Sequence, residues 1–165
     1  MIRVMSVISG VLPPCGLYRT VAPIGNVAPG RLVYFHNHGD PGPGLYFPER
    51  WNANRAHFSP RGEALPIVFD PSALLALPAE GFYRVATAFF CCEKRCVRFE
   101  PEAFVQLGYN GAGRPLLFTP ELAGGTITMP ERGTPIDDGV LPNLAPLRVF
   151  ERRDDLSLPR GILVH

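Results

Sequence analysis

Neither sign of charge dominates this chain: sixteen Lys and Arg stand against fifteen Asp and Glu, a net charge of +1. Nucleic-acid-binding domains carry a basic surplus, so no nucleic-acid partner is expected. Lys94-Arg95 and Arg152-Arg153 are the nearest approach to basic runs, and both are short enough to be solvated surface. Long apolar runs are missing as well. No stretch nears the ~18 apolar residues that span a bilayer, so no membrane partner is expected. Arg3 precedes the short apolar run Val4-Met5-Ser6-Val7-Ile8, and Pro14 before Cys15 is a poor cleavage context. The segment therefore reads as a first strand and the protein as cytoplasmic. Cysteine is scarce: four residues, Cys15, Cys91, Cys92 and Cys96, are no disulfide framework for a chain of this size. Also absent are G-x-S-x-G, a P-loop, a dinucleotide fingerprint and H-E-x-x-H. No internal repeat or linker is legible, so residues 1–165 read as one domain.

What the chain does hold is glycine and proline, 17 and 19 of its 165 residues. Proline lacks the backbone N–H and kinks helix interiors. Spread this evenly, it leaves few windows for a long helix and favours short strands joined by turns. Strands are expected over 2–8, 17–21, 31–38, 45–47, 66–69, 126–129 and 147–151. Residues 51–58 are ambiguous, with room for one helical turn. Asp70-Pro71-Ser72 caps the one short helix expected, 73–77, which Pro78 stops. Residues 82–92 and 96–99 form a hairpin over Glu93-Lys94-Arg95, with Phe89 facing Phe99 and Cys91 facing Val97. A second hairpin joins 103–109 to 115–118 through Asn110-Gly111-Ala112-Gly113. The expected fold is all-β, a small barrel or sandwich of about eight to ten short antiparallel strands with that one helix.

His36 and His38 offer the most specific chemistry. On a strand they project to one face, because the side-chain period is two. Two imidazoles so placed can chelate a divalent metal such as zinc or iron, with Asp40 and His57 as further ligands. In the plainer alternative they sit at a strand end and hydrogen-bond the Pro/Gly loop that follows. The stretch Gly30-Arg31-Leu32-Val33-Tyr34-Phe35-His36-Asn37-His38 resembles the first half of a cupin motif, over about nine residues. That resemblance implies a small β-barrel and a metal. It does not extend to the acid of that motif, since Gly42 and Pro43 stand at its place, nor to the second motif.

Cys91, Cys92 and Cys96 form the other cluster. Neighbours on a regular strand point to opposite faces, so the three do not converge there without a bulge. Cys92 and Cys96 can meet across the hairpin as reactive thiols, with Lys94 and Arg95 favouring the thiolate. Otherwise Cys91 is a core residue and the others are partly covered thiols. Cys15 has no histidine near it in sequence. Tyr34, Tyr46, Phe47 and Trp51 flank the Pro/Gly loop and suit either a recognition face or core packing. The adjacent acids Asp137-Asp138 and Asp154-Asp155 fit Asx-turns better than a catalytic pair.

Two functional classes follow. The first is a non-enzymatic β-domain that binds a protein partner or self-associates, since rigid Pro/Gly loops lose little entropy on binding. The second is a metal-dependent, cupin-like small-barrel enzyme that uses His36 and His38.

Overall fold

The computed structural model describes residues 11–38 and 42–150. The frequent prolines act as expected: among the described residues sixteen short strands form and no α-helix does. A first unit runs through β1 (Gly16–Thr20), β2 (Leu32–His36) and β3 (Gly44–Tyr46). It continues through a hairpin of β4 (Pro48–Asn52) and β5 (Arg55–Phe58), then β6 (Glu63–Ala64), a 3-10 turn Pro71–Ala73 and β7 (Leu74–Ala76). A second unit runs through β8 (Gly81–Val85), β9 (Phe89–Phe90), β10 (Arg98–Phe99), β11 (Phe104–Tyr109) and β12 (Pro115–Phe118). A hairpin of β13 (Glu121–Ala123) and β14 (Thr126–Thr128) follows, then β15 (Thr134–Pro135), a 3-10 turn Asp138–Asn143 and β16 (Leu144–Pro146).

The two units share one topology. The first sheet has the order β6-β3-β2-β1-β7 and the second β15-β12-β11-β8-β16, all antiparallel. Registers match strand for strand. Tyr18 pairs with Val33 and Ala76 as Tyr83 pairs with Val105 and Pro146. Phe35 pairs with Leu45 as Leu107 pairs with Leu117. Each tyrosine hydroxyl donates to the carbonyl four residues back, Tyr18 to Pro14 at 2.7 Å and Tyr83 to Ala79 at 2.6 Å. The Gly30 and Glu102 amides, both at left-handed backbone angles, donate to the Thr20 and Val85 carbonyls at the matching bends. The fold is thus an internal repeat, contrary to the sequence reading. Identical letters are few, chiefly Gly16-Leu17-Tyr18-Arg19 and Gly81-Phe82-Tyr83-Arg84. Register asks only for apolar side chains at alternate positions, so the letters are free to differ.

Two apolar clusters organise the described residues. Tyr18, Val33, Phe35, Leu45 and Leu74 on one face of the first sheet gather Ile24, Val27, Phe69 and Ala73. Leu32, on the opposite face, joins Val85, Val105, Leu107, Tyr109 and Leu117 of the second sheet, with Leu17 and Leu77 beside them. The β4–β5 hairpin ties the units further. Its turn, Ala53-Asn54, has positive φ at both residues, the geometry of a tight two-residue hairpin. The Gln106 side chain donates to Ala53 O at 2.9 Å, and the Trp51 indole N–H donates to Tyr109 O at 2.8 Å. Gly108 lets the turn this close: a Cβ there would lie 2.6 Å from Asn54 O.

Several expectations are corrected. Strands number sixteen, not eight to ten, and neither main sheet closes into a barrel among the described residues. Asp70 caps as expected, accepting from Ser72 N at 2.9 Å. The helix at 73–77 is replaced by a 3-10 turn and β7, since so short a segment cannot offset the cost of helix nucleation while the edge of β1 offers a ladder. Residues 66–69 form no strand. Residues 82–92 are not one strand: β8 pairs with β11 and β16, and only β9 turns back on β10. There Phe89 does face Phe99 and Cys91 N does bond Val97 O. The ambiguous 51–58 falls in a hairpin, and of the strand expected at 147–151 the described residues 147–150 form none, β16 ending just before them at Pro146. The strand expected at 2–8 is outside the described residues. No helix among them is long and apolar enough to cross a membrane.

Candidate functional site

Antiparallel pairing of β1 with β2 sets Gly16 opposite Phe35. The residue before one therefore meets the residue after the other, and Cys15 arrives beside His36. Cys15 Sγ lies 3.9 Å from His36 Nδ1. The thiol donates to Asn37 Oδ1 at 3.1 Å, and the Asn37 amide donates to the sulfur at 3.3 Å. His38, two residues on, stacks its ring on His36 with centroids 4.1 Å apart, and the two Nδ1 atoms approach to 2.7 Å. The ligand atoms of Cys15, His36 and His38 all lie within 4.8 Å of one another. At 2.7 Å one ring N–H donates to the other ring's nitrogen, the tautomers deciding which. Cys15 and His38 reach solvent and His36 is half-buried, flanked by the rings of Tyr34 and Tyr46 at 6.3 Å each.

Of the ligands expected from sequence, His36 and His38 come together. His57 stands in β5 opposite Arg50, outside the cluster, and Asp40 lies outside the described residues. Cys15 takes the third place. No signal within its own segment points to this; only the β1–β2 register does. The chemistry of the set, one thiolate and two imidazoles, suits zinc and related borderline ions.

Cys15 also lines a cavity of about 510 Å³ with Tyr34, Arg55, Phe58 and Glu80. Glu80 is the repeat counterpart of Cys15, each standing one residue before its strand's glycine. Its carboxylate accepts from Ala56 N at 3.0 Å. Burial pushes the Glu80 carboxyl up from the usual carboxylate range, against the pull of the Ala56 and Tyr109 hydrogen bonds and of Arg55. The cavity thus holds a half-buried carboxyl, its ionisation pushed up, and a guanidinium. Sequence reading passed over both Arg55 and Glu80, which share no motif with Cys15.

The four aromatic residues do not form one face. Tyr34 and Tyr46 pair across β2 and β3. Phe47 packs on the other side, against the Tyr18–Phe35 cluster, with the Arg31 guanidinium 4.9 Å from its ring centre. Trp51 lines a separate cleft of about 290 Å³ with Tyr109, Leu116, Phe118 and Glu131.

The cysteines of the second unit do converge. Residues 91–97 are a bend and turn between β9 and β10, not strand, so alternation no longer separates Cys91 from Cys92. The sulfurs of Cys91, Cys92 and Cys96 lie within 4.8 Å of one another, and the first two are 3.5 Å apart. Hydrogen bonds from the Cys91 thiol and then from the Cys96 and Lys94 amides pull the Cys92 thiol below its usual value, while Cys96, bonded to Cys92, is pushed up. No protein-family model, curated protein or solved structure matches this chain.

Proposed function

We propose that the chain is a metal-dependent β-protein in which Cys15, His36 and His38 hold a zinc-type divalent ion beside the cavity of Arg55 and Glu80. The observation that carries this is the gathering of one thiol and two imidazoles whose ligand atoms all lie within 4.8 Å of one another. Three protein ligands at a solvent-facing position leave a coordination place open, the arrangement of catalytic rather than structural zinc. Such an ion acidifies a bound water and polarises a carbonyl or phosphoryl oxygen. Arg55 supplies a charge for an anionic small substrate and Glu80 a carboxyl in the same cavity, so hydrolysis of an anionic ester or amide is the reaction class supported best. The two main sheets are read here as the layers of a sandwich, because Leu32 of one shares a cluster with Val85, Val105 and Leu107 of the other.

Metal analysis of protein purified without an affinity tag, in a Cys92→Ser/Cys96→Ser background, tests this. About one equivalent of zinc is expected, lost in His36→Ala/His38→Ala. Metal-free protein that also takes up no added zinc ends the reading.

A second reading, self-association, is favoured by the β13–β14 hairpin. All its strand residues are exposed, and Leu122 and Ile127, 77% and 64% exposed, face each other across it. A lone two-stranded hairpin is marginal in water and has two open edges. Pairing with the same hairpin of a second copy makes a four-stranded sheet and covers one edge of each. A dimer mass that Leu122→Asp/Ile127→Asp converts to monomer supports it, and a monomeric parent chain excludes it.

A further inference from the structure

The sulfur cluster of the second unit is a different kind of site from that of Cys15. Its donors are three thiols with no imidazole or carboxylate among them. We propose that Cys91, Cys92 and Cys96 bind one soft monovalent metal ion, Cu(I), as a three-thiolate site.

Thiolate ligands select soft ions. Structural zinc takes four ligands almost without exception, and iron–sulfur clusters take four cysteines. Among the described residues no fourth His, Cys, Asp or Glu joins these sulfurs. Cu(I), a filled-shell ion, is content with three in a plane. Its requirements are met in three respects. Cys91 is 3% exposed and lies in the core cluster with Phe89 and Phe99, which shields one side of the site from water. The Val97 amide donates to Cys91 Sγ at 3.3 Å, which steadies the anion in that apolar setting. Cys92 is half-buried and Cys96 exposed, so the ion has a way in from solvent. Three thiolates around one Cu(I) leave two negative charges, and Cys96 and Cys92 face solvent that screens them. Binding exchanges three thiol protons for one metal ion and involves no change of oxidation state.

The geometry also explains the adjacent pair. Arg95 takes a left-handed backbone angle, φ 53°, and Arg95 N bonds Cys92 O at 2.9 Å. That turn swings Cys96 back over its predecessors. On a regular hairpin Cys91 and Cys92 would face apart.

The test is an anaerobic titration of the full chain with Cu(I) in competition with bicinchoninate. It uses a Cys15→Ser/His36→Ala/His38→Ala background, which removes the other candidate centre. Expected are about one Cu(I) per chain withheld from the chelator, near-ultraviolet sulfur-to-copper absorption, and an X-ray absorption shell of three sulfurs. Cys92→Ser/Cys96→Ser should lower the affinity at least a hundredfold. These two residues are chosen because they lie outside the core, whereas Cys91→Ser risks the fold. Failure to compete with the chelator, binding unchanged in the double variant, or a shell of nitrogen and oxygen would each overturn the proposal. None of these outcomes depends on whether zinc occupies Cys15, His36 and His38.

Discussion

Buried polar side chains carry much of the specificity at the residue scale. Tyr109 is almost fully buried, 1% exposed, and its hydroxyl donates to Pro78 O at 2.7 Å. Burial pushes its ionisation well above the ordinary tyrosine value of 10.0, with the charges of Tyr83, Glu80 and Asp138 adding to this against Arg19. Above about pH 10 an unfolded chain releases this proton while the folded chain keeps it. The folded state then binds more protons, so stability falls as pH rises from that point. Tyr109→Phe should flatten that alkaline decline in denaturant melts recorded from pH 8 to 11. At neutral pH it should cost about 1 kcal/mol for the lost hydrogen bond. Cys15 and His36 teach a related lesson. Cys15 is unremarkable in its own segment, and nothing near the His36-x-His38 pair in sequence announces it.

Short strands at the element scale are stable only as pairs, and the pairs decide which side chains meet. The β9–β10 hairpin pairs just Phe89 with Phe99 and Phe90 with Arg98. Its hold on the core is the stacking of Phe89 on Phe99, centroids 5.1 Å apart, inside the larger cluster. Phe89→Ala should therefore cost about 3–5 kcal/mol, as for other buried aromatics, in urea denaturation. A loss under about 1 kcal/mol, the range of surface changes, would reject the register. This pairing was legible beforehand because a charged loop and alternating apolar residues specify it locally. The behaviour of Cys91 and Cys92 was not. Cys91 and Cys92 stand in a bend just past Phe90, and a bend obeys no two-residue period. Residues 73–77 carry the capping signals of a helix, but the edge of β1 takes 74–76 as a strand.

Contacts between the repeats decide the form of the whole molecule. Arg19 of β1 reaches across to the second unit, where its guanidinium pairs with both oxygens of Asp138, Nη1 to Oδ1 at 3.2 Å, and also donates to Gly113 O at 3.3 Å. Arg19 is mostly covered and Asp138 half-exposed, 18% and 48%. A double-mutant cycle of Arg19→Ala and Asp138→Ala should give a coupling of about 1 kcal/mol, above the usual yield of a surface pair because the fork is bidentate. Coupling near zero in thermal melts would mean that the pair does not help join the units. The repeat itself went unseen because its two copies share registers and hydrogen bonds more than letters. By itself the sequence determined the class of structure: proline and glycine at this density forbid long helices, and alternating apolar residues then favour paired strands. It also determined that His36 and His38 share one side of a strand end, a consequence of two-residue spacing. Only the tertiary structure decided that Cys15 stands beside them, that Glu80 and Arg55 line the same cavity, and that three sulfurs gather at one turn. Those are encounters between residues distant in the chain or released from the ladder, and register and bends govern them, not local periodicity.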